Sequence, residues 1–189
     1  MGQAGPLTPL VASAVSWHHI NMPMSKKRRV FEDGHRRKLM VIVDESKEVE
    51  SALLYAASRA SHTGGHLVLL YVIAPDNQFW GGVRQVQLDE GMAKAKALFR
   101  LFRRKLNNEG FDKVEVDEVV REGKLVEQIL AQIDDDEDIA ILVLGAAVDA
   151  KGPGPLVSSL ASGSAAGKFP IPITIVPGDL TTEDIKAMA

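Results

Sequence analysis

Short unbroken apolar runs alternate along this chain with stretches whose apolar residues fall three or four apart. Leu39-Met40-Val41-Ile42-Val43 is the first such run, and it ends at Asp44. A run with no polar alternation marks a strand buried on both faces, as in a parallel sheet. Ala52, Leu53, Ala56, Ala57 and Ala60 then recur at helical spacing until Gly64-Gly65 stops them. Residues 67–73 (LVLLYVI) predict a second strand, closed by Ala74-Pro75. A polar and aromatic loop containing Phe79-Trp80-Gly81-Gly82 follows.

Met92, Ala95, Phe99, Phe102 and Leu106 predict one face of a long helix, ended by Asn107-Asn108-Glu109-Gly110. Val114, Val116, Val119 and Val120 predict a less apolar third strand, and Leu125, Ile129 and Ile133 a third helix. Residues 139–144 (IAILVL) predict a fourth strand ending at Gly145. A long loop carries Gly152, Gly154, Gly163 and Gly167. Residues 171–176 predict the last strand, and Thr181 or Thr182 caps a short C-terminal helix.

Strands that alternate with helices mean βαβ units with right-handed crossovers. An eightfold barrel needs about 200 residues or more. The expectation is therefore an α/β fold, an open doubly wound five-stranded parallel sheet with helices on both faces. In such sheets ligands bind outside the carboxyl ends of the strands, where the strand order reverses.

Composition narrows the class. The chain has 189 residues, 46% hydrophobic and 25% charged, which suits one domain plus tails. A net charge of −3 implies no general attraction to nucleic acid or to an anionic membrane. With no cysteine, disulfides and thiolate zinc sites are excluded, and a reducing cytoplasm is expected. No stretch approaches the roughly 20 apolar residues of a membrane span. Residues 7–17 are mildly apolar, but the basic run Lys26-Lys27-Arg28-Arg29 follows them, the reverse of a secretory signal. Residues 1–37 are expected to be a poorly ordered basic tail, 38–177 the domain, and 178–189 a tail or short helix. Met24 is a sensible alternative start.

Several motifs fail on inspection. Gly163 to Lys168 has three residues between its glycines instead of the four of a phosphate loop, and Phe169 stands where the magnesium-binding hydroxyl belongs. Gly152-Pro153-Gly154 lacks the third glycine of a dinucleotide fingerprint. No Gly-x-Ser-x-Gly occurs. The histidines (18, 19, 35, 62 and 66) have no metal-ligand spacing, and Asp134-Asp135-Asp136-Glu137-Asp138 reads as a solvated turn rather than a calcium loop. No catalytic or metal-binding residue is expected. Two features stand out instead. Asp44 at the end of the first strand faces the ligand edge as a hydrogen-bond acceptor. The glycines after Leu144 let backbone N–H groups approach an anion.

Together these residues resemble the universal stress protein family over about 38–177. Val43-Asp44-Glu45-Ser46 is similar to the family's Val-Asp-x-Ser, and Arg121-Glu122-Gly123-Lys124 with Ile129-Leu130 to its Gly and Ile-Leu stretch. Residues 141–145 resemble its fourth strand, Gly163-Ser164 its Gly-Ser pair, and residues 171–177 its closing strand. The resemblance implies a Rossmann-like, adenine-nucleotide α-hydrolase-like fold and a cytoplasmic homodimer. It also implies ATP or AMP as candidate ligand. Carried over, the nucleotide-binding positions are Asp44, Val72, Gly145, Gly163 and Ser164.

The family's loop, Gly-x2-Gly-x9-Gly-Ser/Thr, is altered here. Val148 takes its second glycine, and Gly163 follows Gly145 by 18 positions, about five more than the pattern spans. Pro153 and Pro155 remove N–H groups that phosphate binding would use. The expectation is thus a non-enzymatic stress-response module acting through protein partners, with no specific nucleic acid and no membrane. An ATP- or AMP-binding sensor is the alternative, and a weak ATPase or phosphotransferase ranks last. The apolar last strand, Ile171 to Val176, is expected at a sheet edge, where a second copy would cover it.

Overall fold

The apolar runs fold as five parallel strands: β1 (Lys38–Ile42), β2 (His66–Ile73), β3 (Val116–Glu122), β4 (Ile139–Ala146) and β5 (Ile173–Pro177), in the order β3-β2-β1-β4-β5. Among the described residues five helices connect and follow them: α1 (Glu48–Thr63), α2 (Gly82–Asn108), α3 (Leu125–Asp135), α4 (Pro155–Ala161) and α5 (Thr182–Met188). This is a computed structural model, and it describes residues 26–74, 82–149, 152–161, 167 and 169–189.

Side chains of a strand alternate between faces, and the core divides accordingly. Leu39, Val41, Leu67, Leu69 and Val143 pack with α1, with Ala95, Phe99, Phe102 and Leu106 of α2, and with Ile185 of α5. Met40, Ile42, Val68, Leu70, Leu142 and Leu144 pack with Ile129 and Ile133 of α3 and Val157 and Leu160 of α4. Helices therefore cover both faces, which is why the central strands are apolar throughout. Each fully buried aliphatic side chain contributes about 1.5–3 kcal/mol.

The strand order reverses at β1. Leu39 pairs with Leu67 on one side and Ile141 on the other. β3 and β5 are the edges, as expected for the last strand. Gly64, at φ 63°, ends α1 by donating its N–H to the Ala60 carbonyl, a left-handed position that suits glycine. Thr181 caps α5 by accepting the Asp184 N–H.

The structure differs from expectation in places. β3 starts at Val116, and β5 starts at Ile173, with Ile171 buried ahead of it. Met92 and Leu125, expected to face the core, are 39% and 38% exposed. Gly91 of α2 packs against Ile73, the last residue of β2, so Met92 lies where the sheet beneath the helix ends. Leu125 opens α3 beside the ligand edge.

Residues 26–37, expected within the tail, are held on the domain. The Arg28 guanidinium donates to the carbonyls of Ile133 and Asp136, satisfying acceptors at the end of α3. Arg29 pairs with Glu137, and His35 Nδ1 lies 2.6 Å from Asp138 Oδ1. Lys38 bridges Asp117 and Asp136 at 2.9 Å each. Burial alone would weaken the Lys38 charge, but the hydrogen bonds to these carboxylates outweigh it and hold its pKa above the ordinary lysine value. The basic run, read as part of a poorly ordered tail, and the acidic run, read as a solvated turn, thus meet each other at the amino-terminal edge of the sheet.

Candidate functional site

Asp44 is the second residue after β1 and leads the chain out of the sheet. Its Oδ1 accepts the Ser46 N–H at 2.7 Å, closing a turn that redirects the chain into α1. A carboxylate has two oxygens, so one hydrogen bond leaves acceptor capacity. The residue is exposed and borders two clefts.

The first cleft, of about 260 Å³, lies between the ends of β1 and β2 and the start of α3. Asp44, Tyr71, Val72, Lys94, Gly123 and Leu125 are among its walls. The Lys94 ammonium lies 2.5 Å from Glu45, and that hydrogen bond holds its pKa above the ordinary value. Its charge is therefore matched within the wall. The second cleft, of about 150 Å³, lies between the ends of β1 and β4 and the start of α4. Asp44, Glu48, Gly145, Pro153, Gly154 and Leu156 are among its walls. Ile42, Asp44 and Leu125 belong to both clefts. Each alone is smaller than the roughly 300 Å³ at which ligand pockets begin, and a ligand straddling Asp44 would use the two together.

The expected residues divide between these clefts. Val72 lies in the first, Gly145 in the second and Asp44 in both. Gly163 and Ser164 lie outside the described residues, as do Phe79, Trp80 and Gly81. Gly145 also has a packing role, because a Cβ there would fall 2.1 Å from the Glu48 carbonyl oxygen. Pro155 is the first residue of α4, a position where its missing N–H costs nothing. The loop prolines thus shape the mouth of the second cleft and start a helix.

Glu48, Tyr71, Lys94 and Leu125 were not singled out as site residues in the sequence. Leu125 carried a signal, since it follows the quoted Arg121 to Lys124 stretch. Lys94 reaches the edge only because α2 runs back over β2, which spacing within a helix does not reveal. Among the described residues no group of His, Asp or Glu is arranged to hold a metal ion. No helix among them is long and apolar enough to cross a membrane.

Solved structures share this architecture. Universal stress protein UspA from Lactobacillus plantarum superposes with a TM-score of 0.59 at 17% identity, over 74% of this chain and 97% of that one. A universal stress protein family member from Burkholderia pseudomallei gives 0.55 at 15% identity, over 74% and 95%. The universal stress protein from Archaeoglobus fulgidus in complex with dAMP gives 0.52 at 19%, over 74% and 97%. At these identities the likeness establishes the fold. No curated relative is matched at the level of sequence. The model of the universal stress protein family matches residues 35–177, well over half of the chain. By that match, with the strand order and the strand-end clefts beside it, the chain belongs to the universal stress protein family.

Proposed function

We propose that this universal stress protein is a non-enzymatic, cytoplasmic stress-response module that acts through protein partners, with an adenine nucleoside or nucleotide held in the crevice around Asp44. The observation that carries the ligand reading is the pair of clefts meeting at Asp44, on the edge where doubly wound sheets bind ligands. Apolar walls from Ile42, Val72 and Leu125 suit a planar base, and the spare acceptor capacity of Asp44 suits a sugar hydroxyl. The like-folded Archaeoglobus protein solved with dAMP supports the same ligand class. Binding without turnover is supported by the walls of the crevice. Among the described residues their polar side chains are carboxylates, the hydroxyls of Ser46 and Tyr71 and one lysine tied to Glu45, with no His among them to serve as a base.

The proposal includes a homodimer formed through the last strand. Among the described residues β5 pairs only with β4 and leaves Ile175 46% exposed on an apolar edge, which a second copy would cover.

Mass spectrometry of small molecules released on denaturing the purified protein, with a turnover assay on ATP, tests the reading. A retained adenine compound with no turnover is expected. Sustained ATP hydrolysis that disappears in Asp44→Ala would overturn the non-enzymatic part.

A further inference from the structure

The described walls of the second cleft present acid where a phosphate site would need base. Glu48 opens α1 directly against the end of β4. Its Cβ is 2.9 Å from the place a Cβ would take on Gly145, and equally near the one on Gly178. Contact from two strand ends therefore fixes where its side chain begins. Its carboxylate extends toward the loop, with Oε1 3.9 Å from the place a Cβ would take on Gly154.

Asp44 lines the same cleft from the turn after β1, and among the described residues the lining contains no Lys, Arg or His. The neighbouring carboxylates Glu45 and Glu50 are each paired with a lysine, Lys94 and Lys105. Among the described residues Glu48 has no such partner. The amino terminus of α1 would ordinarily favour an anion, but Glu48 and Glu50 occupy its first turn and offset that field. Pro153 and Pro155 add wall without N–H donors. A phosphate chain entering here would lie against like charge, which opposes binding. A neutral sugar hydroxyl would meet an acceptor instead.

Resting on the ligand reading above, we propose that the crevice selects an uncharged nucleoside over its phosphorylated forms, and that Glu48 is the residue that excludes phosphate.

The test is calorimetric titration of the full chain with adenosine, AMP and ATP, each with and without magnesium. Adenosine is expected to bind at least about tenfold more tightly than ATP in both conditions, with AMP between. Glu48→Gln keeps the side-chain shape and removes the charge. It should close most of that gap chiefly by strengthening ATP. ATP matching or exceeding adenosine in either condition overturns the selectivity and leaves the ligand site standing. An unchanged adenosine-to-ATP ratio in Glu48→Gln overturns the role of Glu48. Absence of binding by all three compounds overturns the site itself, and the selectivity with it.

Discussion

Gly145 and Glu48 are packed so closely that a Cβ on the glycine would lie 2.1 Å from the glutamate's backbone carbonyl oxygen. The end of β4 and the start of α1 are therefore locked together, backbone against backbone. That contact sets the floor of the second cleft whether or not a ligand is present.

Gly145→Ala is accordingly expected to destabilise the fold by about 3 kcal/mol, because neither backbone can yield without disturbing the sheet. Urea denaturation measures it. A loss below about 0.5 kcal/mol would mean that the start of α1 is free to shift.

The amino-terminal segment gives a second prediction. Arg28 donates to the carbonyls of Ile133 and Asp136 across 105 and 108 positions of chain. Arg28→Ala should cost about 1–2 kcal/mol by removing this donor from the Ile133 carbonyl, while the Asp136 carbonyl keeps the Ile139 N–H. Hydrogen exchange should quicken selectively in the last turn of α3. Uniform exchange across the domain, with unchanged stability, would show that the segment does not hold that turn.

Much of this architecture was legible in the sequence, for physical reasons. β1, β2 and β4 are covered by helices on both faces, so their residues had to be apolar without alternation. α2 has one covered face, which wrote its helical spacing, and α1, wedged among the sheet, α2 and α5, is built of small apolar residues that fit there. The edge position of β5 agrees with the expectation for the apolar last strand. Other features depend on contacts distant in sequence. The basic and acidic runs looked solvated because their mutual pairing exists only once β1 and β4 lie side by side. Glu48 carries no signal of its own in the sequence. Its place in the second cleft depends on α1 resting against the ends of β4 and β5.

Lys38 gives a pH-dependent prediction. Its folded pKa lies above its unfolded one, because Asp117 and Asp136 favour the ammonium. The stabilisation is therefore fully present below the unfolded lysine value, about 10.4, and is lost as pH rises through the higher folded value. Lys38→Met should reduce stability by about 1 kcal/mol at neutral pH. Denaturation curves of the two proteins should converge in the alkaline range above the ordinary lysine pKa. A difference that persists unchanged there would place the effect in packing rather than charge.

The edge strand predicts assembly. Ile175→Lys places a charge on the exposed side of β5. It should convert a dimer to monomer with little loss of monomer stability, since edge lysines block strand pairing. Sedimentation velocity distinguishes the species. A wild-type monomer at high concentration, or a dimer indifferent to the substitution, would move the interface elsewhere.

The most direct test of the account is calorimetric titration of adenosine into the wild-type protein and into Asp44→Ala, with unfolding curves for both. The account predicts saturable binding by the wild type, weakened at least about tenfold in the variant, with about 1 kcal/mol of folding stability lost along with the Asp44–Ser46 hydrogen bond. Equal binding by the two proteins, or no binding by the wild type at millimolar adenosine, would contradict it.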